Sequence, residues 1–184
     1  ESAGTLTDYC WGAVISDASF ATIKNVHCVD LGCTEADYDL NAGNGGGVLV
    51  EITSAATSNM IGNVVDGVYG DLPKAGFHCR LWSPFKAPYN AHGSLVDPAG
   101  VPIFLTKNIV RNVRGVAGRK NAIELCGPAV SGNVVQDCEF VDLKGQAGIE
   151  ADFGANLNRF ERCKLHFSTG FILERSFYGI NQVR

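Results

Sequence analysis

The sequence predicts an all-β chain wound as a parallel solenoid of about six rungs, with two inserted loops and no helix of note. Three observations predict it. A strand-like unit recurs six times, and a second unit led by asparagine interleaves with it in strict alternation. The composition is turn-rich, with 22 glycines, one methionine and no amphipathic helical periodicity.

The first unit reads small, apolar, x, apolar, x, and occupies residues 12–16 (GAVIS), 47–51 (GVLVE), 76–80 (GFHCR), 122–126 (AIELC), 148–152 (GIEAD) and 170–174 (GFILE). Alternation with period two buries one face of a strand and wets the other. Ile123, Leu125, Ile149 and Ala151 are therefore expected inward, and Glu124, Glu150 and Asp152 outward.

The second unit occupies residues 59–64 (NMIGNV), 108–113 (NIVRNV), 133–138 (NVVQDC) and 158–163 (NRFERC). Residues 21–26 (ATIKNV) lack the leading asparagine, and Asn181 opens a further copy. Asparagine at a fixed corner tolerates strained backbone, and its amide bonds the same amide one rung away. The first unit leads to the second after 9 to 12 residues, except from Gly76, where the interval is 32. The excess assigns an insertion to residues 82–104, which hold four of the six prolines, and a second insertion falls at residues 33–46. Residues 1–184 thus read as a single segment of a longer chain, since both ends stop mid-pattern.

With 46% hydrophobic and 18% charged residues, the chain is globular rather than disordered. A net charge of −4 argues against a nucleic-acid partner. No apolar run reaches the roughly 18–20 residues of a membrane span, so no membrane insertion is expected. The seven cysteines lack the C-x-x-C spacing of a zinc site and read as reduced, mostly buried thiols. Cys138 and Cys163 share a corner column on adjacent rungs, within disulfide reach, and are taken as stacked thiols.

The Gly-Ile strand followed by the Asn-x-Val/Ile/Phe-x-Asn/Asp-Val/Cys corner resembles the right-handed parallel β-helix of the pectin-lyase-like superfamily, over essentially the whole chain. That superfamily includes pectate and alginate lyases, polygalacturonase-like hydrolases, epimerases and bacteriophage tailspike depolymerases. The Asn-Thr-Asp, Asp-Asp, Gly-His-Gly and Arg-Ile-Lys signatures of the polygalacturonase type are absent, and no catalytic motif is carried over. The inserted loops and cysteines make the chain most similar to a phage tailspike. The resemblance implies a bacterial surface polysaccharide or other glycan as partner and a homotrimer formed through the parent chain. It also implies a virion made in the host cytoplasm, with an extracellular location as the alternative.

Aligned, the six strands place Val14, Leu49, His78, Glu124, Glu150 and Ile172 in one outward column. Ser16, Glu51, Arg80, Cys126, Asp152 and Glu174 form the next. Glu124 and Glu150 would stand about 4.8 Å apart at the backbone, suiting a retaining glycosidase. The diagonal pair Glu124 and Asp152, at roughly 7–8 Å, would suit inversion. A glycoside hydrolase with Glu124, Glu150 and Asp152 as catalytic carboxylates needs no cofactor or metal. Its substrate contacts would be Glu51, His78, Arg80, Trp82 and Tyr89, the aromatic rings suiting sugar faces.

A lyase would instead use His78 or Tyr89 as base, Arg80 against a uronate carboxylate, and Ca²⁺ held by Glu124, Glu150 and Asp152. The basic run Lys107, Arg111, Arg114, Arg119 and Lys120 would serve an acidic polymer. A third alternative is a non-catalytic virion or cell-surface β-helix that binds a receptor or supplies a rigid shaft.

Overall fold

The computed structural model describes residues 11–29, 45–72, 77–84, 95–117, 121–141, 148–166, 171–173 and 182–183, and among them the chain is all-β without a helix. A six-stranded sheet runs in the spatial order β1 (Trp11–Ser16), β3 (Gly46–Glu51), β6 (Phe77–Trp82), β9 (Ile123–Cys126), β12 (Ile149–Asp152) and β15 (Phe171–Leu173). A second sheet stacks β2 (Thr22–Val29), β5 (Val64–Leu72) and β8 (Ile109–Ala117). There β8 pairs with both β10 (Val134–Gln136) and β11 (Glu139–Val141), which continue to β13 (Arg159–Glu161) and β14 (Lys164–Leu165). The strand β16 (Gln182–Val183) follows β13, and a two-stranded sheet joins β4 (Met60–Ile61) to β7 (Leu105–Thr106). Every one of these ladders is parallel.

In chain order the strands alternate between sheets, so each departure from the first sheet returns the chain beside the strand it left. The six expected strands are the six strands of the first sheet. Their inward residues, such as Val48, Leu81 and Ile123, meet Val68, Val113 and Phe140 of the second sheet in one buried cluster.

Two features of the second sheet explain its sequence pattern. The first is a buried amide ladder. Asn108 Oδ1 accepts from Asn63 N at 2.9 Å, Asn133 Oδ1 from Asn108 N at 3.1 Å, and Asn158 Oδ1 from Asn133 N at 2.9 Å. Each Nδ2 also donates to a carbonyl, Ala18, Met60, Leu105 and Val130 in turn. The second is a corner held in the left-handed region, at Asn25, Gly67, Asn112, Asp137 and Arg162, with φ between 53° and 81°. Asparagine, aspartate and glycine favour that region, which is why they recur there.

The ladder corrects the expected phase of one repeat. Asn63, not Asn59, leads its copy, which runs from Asn63 to Val68 and places Gly67 at the left-handed corner. Asn59 instead accepts from Phe104 N at 2.8 Å.

A second correction concerns β6. The expected alignment matched His78 with Leu49 and Glu124, but the register is Leu49, Arg80, Glu124 and then Glu51, Trp82, Cys126. Ala122 O accepts from both His78 N (2.8 Å) and Cys79 N (3.2 Å), so two residues of β6 share one carbonyl at the entry to β9, the arrangement of a β-bulge. The bulge turns both His78 and Cys79 inward and leaves Phe77 and Arg80 on the outer face. Trp82 accordingly closes β6 rather than opening an insertion. Further on, Leu95 and Ile103 return to the core. Residues 33–44 lie outside the described residues.

Candidate functional site

The middle strands of the first sheet bring four charged side chains together on the outer face. Register places Arg80, Glu124 and Glu150 in one column, and Cys126 and Asp152 in the next. All are largely withdrawn from water, with exposures of 9% for Arg80, 7% for Glu124, 2% for Glu150 and 4% for Asp152. The expectation of a solvated outer face therefore fails here. Its reason is that alternation specifies which side of a strand a residue takes, not what lies over that side.

Arg80 sits at the centre. Its Nε pairs with Glu124 Oε2, its Nη2 approaches Cys126 Sγ at 3.6 Å, and its guanidinium lies 5.0 Å from the Phe77 ring centroid. Phe77 in turn stacks on Trp11 at 6.2 Å. Burial works against the arginine cation, and Glu124 and Cys126 outweigh it, so its pKa is raised. Glu150 accepts from Asn121 Nδ2.

The ligand atoms of Glu124, Cys126 and Asp152 all lie within 4.8 Å of one another. This is closer than the expected diagonal separation, because the side chains converge across the strand boundary. Burial, then repulsion from Glu124 and Glu150, pushes Asp152 up to about 7 against the opposing Cys126 hydrogen bond and Arg80 charge. Burial is also the chief reason Cys126 is pushed up, so its thiol stays protonated beside Asp152. Asp152 Oδ1 is buried without a hydrogen-bond partner among the described residues.

The remaining expected contacts disperse. His78 is fully buried, with its ring 5.2 Å from Phe140 and Nε2 donating to Gly70 O at 3.2 Å. Burial lowers its pKa to about 4. Gly115, paired with Gly70, makes room for this imidazole, since a Cβ there would come within 2.9 Å of Nε2. Glu51 and Trp82 are half-buried and share the Cys126 column. Tyr89 lies outside the described residues.

The expected basic run is not a continuous cationic face: Arg111 pairs with Asp66 at 2.9 Å, and Arg114 stands in register with Glu139. Arg119 and Lys120 lie outside the described residues.

Sequence reasoning missed Asn121, Phe77 and the part played by Cys126. Asn121 had a signal, since it directly precedes the strand unit of residues 122–126. As a cation site, Glu124, Cys126 and Asp152 offer a thiol beside two carboxylates, a poor match for Ca²⁺, which prefers oxygen ligands. Arg80 already supplies a cation to Glu124.

No family model matches the chain, and neither a curated protein nor a solved structure matches it.

Proposed function

We propose that the chain is a right-handed parallel β-helix of the tailspike type, acting as a glycoside hydrolase on a bacterial surface polysaccharide. The architecture is supported by the alternation of the strands between two parallel sheets with neighbours in register. The chemistry rests on one observation: three buried carboxylates cluster on adjacent strands, Glu124 pairs with Arg80, and Asp152 is held protonated up to about 7. A purely structural shaft has no need to carry that electrostatic cost.

Asp152 is the general acid that protonates the glycosidic oxygen, its proton retained by burial and by Glu124. Glu124, oriented by Arg80, is the carboxylate that meets the anomeric carbon. Their separation lies nearer the roughly 5–5.5 Å between carboxyl groups in retaining enzymes than the wider spacing of inverting ones. Glu150, fixed by Asn121, adds negative potential that helps keep Asp152 protonated. A lyase is less well served, because His78 faces the core and Arg80 is committed to Glu124.

The low exposure of the cluster favours a second reading, a glycan-binding or structural shaft of a trimeric virion protein in which this face carries no reaction. The two separate in one experiment. The chain is incubated with capsular polysaccharides and lipopolysaccharides while new reducing ends and unsaturated-uronate absorbance are followed together. Reducing ends that disappear in Asp152→Asn and Glu124→Gln establish the hydrolase, and absorbance growing with them establishes a lyase. Binding without cleavage leaves the shaft.

A further inference from the structure

We propose that Cys138 and Cys163 form a peroxide-reactive thiol pair, in which Cys163 is oxidised first and Cys138 then closes a disulfide onto it. Both are free thiols. The pairs Gln136 with Glu161 and Glu139 with Lys164 bracket them in register, so the two cysteines are directly opposed, Cys138 between β10 and β11 and Cys163 between β13 and β14. Lys164 N donates to Cys138 O at 2.8 Å, which fixes that alignment. The strand spacing of about 4.8 Å falls inside the roughly 4.4–6.8 Å Cα separation that a disulfide spans.

The two thiols influence each other directly, and their surroundings differ. Cys163 is half-buried between Arg162 and Lys164, whereas Cys138 is 1% exposed and its thiol donates to Gln136 O at 3.2 Å. The facing Cys138 thiol lowers the Cys163 pKa, and the same contact, with burial, raises that of Cys138. An accessible, thiolate-prone sulfur beside a resolving thiol is the arrangement that peroxide chemistry uses. Cys79 is fully buried and its thiol is pushed up by that burial, so it serves as an internal control.

The oxidant is a hydroperoxide. The Cys163 thiolate attacks one peroxide oxygen, the O–O bond breaks, and hydroxide leaves, giving a sulfenic acid. Hydroxide takes the Cys138 proton to become water. The Cys138 sulfur then attacks the Cys163 sulfur, the S–OH bond breaks, and the departing hydroxide is protonated from solvent. The initial ionisation of Cys163 supplied that proton. Two thiols lose two electrons, and the peroxide is reduced to two waters.

The test is hydrogen peroxide treatment of the whole chain, alkylation of remaining thiols and peptide mapping by mass spectrometry. The expected product is a Cys138–Cys163 linked peptide two hydrogens lighter than the reduced pair, reversed by dithiothreitol, with Cys79 still alkylated only after unfolding. In Cys138→Ser, a dimedone adduct should accumulate on Cys163. The proposal is overturned if both thiols of the unmodified chain survive peroxide. It also fails if Cys163 passes to the sulfinic acid while Cys138 stays free, or if Cys163 links to another cysteine. Because the unmodified chain decides the matter, a variant that folds poorly does not protect the proposal.

Discussion

Two buried polar columns cross this molecule, and they are built on opposite principles. The asparagine ladder is neutral and reciprocal: Asn133 gives hydrogens to Leu105 O and Asn158 Oδ1 and takes them from Asn108. The carboxylate cluster is charged and incompletely paired, with three acids to the one cation of Arg80, which pairs with Glu124, and an orphan oxygen on Asp152. Satisfied buried amides stabilise and fix register, while buried charge stabilises little and stores electrostatic strain. The comparison separates a polar column that holds the strands in step from one suited to chemistry.

Cutting each column at its centre sharpens that contrast. Arg80→Met strands Glu124 without its cation and should cost about 3–5 kcal/mol, read from the urea midpoint at neutral pH. Asn133→Ala leaves the buried Asn108 N–H without its acceptor and takes one of two donors from the Leu105 carbonyl, for an expected loss of about 2–3 kcal/mol that does not vary with pH.

The third substitution carries the opposite sign. Asp152 has a folded pKa raised to about 7, so its contribution is intact below its unfolded pKa near 4 and declines as pH rises towards 7. Asp152→Asn should therefore stabilise by roughly 2 kcal/mol at about pH 8 and by almost nothing near pH 4. His78 runs the other way. Its folded pKa is lowered to about 4 from 6.5, so its contribution is present above pH 6.5 and lost as pH falls towards 4. With Asp152 neutralised, the acid loss due to His78 should appear as a steeper fall in stability across that window. The smallest effect is expected at the exposed pair Arg162–Asp137, 2.6 Å apart. There Arg162→Ala should leave the unfolding midpoint unmoved, unlike Arg80→Met.

How far the sequence reveals these columns follows from their physics. Asn108, Asn133 and Asn158 recur at 25-residue intervals, and the hydrogen bonds that require them recur at the same interval. Asn63 escapes the pattern because Asn59, four residues earlier, fits the same apolar spacing. Glu124 opposite Glu150 is equally legible, since both sit at one position of one repeated strand. Arg80 opposite Glu124 is not, because Phe77, Cys79 and Leu81 offer two acceptable apolar phases. Only the bulge at His78 and Cys79 selects between them, and a bulge leaves no period in a sequence. The place of Arg80 beside Glu124 therefore had to come from the structure, whereas Cys126 opposite Asp152, with Glu124 and Glu150 alongside, follows from the repeated strand unit.

The most direct test of the account is the titration of Asp152 itself, followed by the pH dependence of its ¹³Cγ shift in the folded chain and assigned with Asp152→Asn. A midpoint near 7 that falls in Glu124→Gln is the predicted result, the signature of a buried acid held protonated by its neighbour. A midpoint in the ordinary carboxylate range near 4, unaffected by Glu124→Gln, would contradict it and reduce the cluster to a paired charge network without an acid.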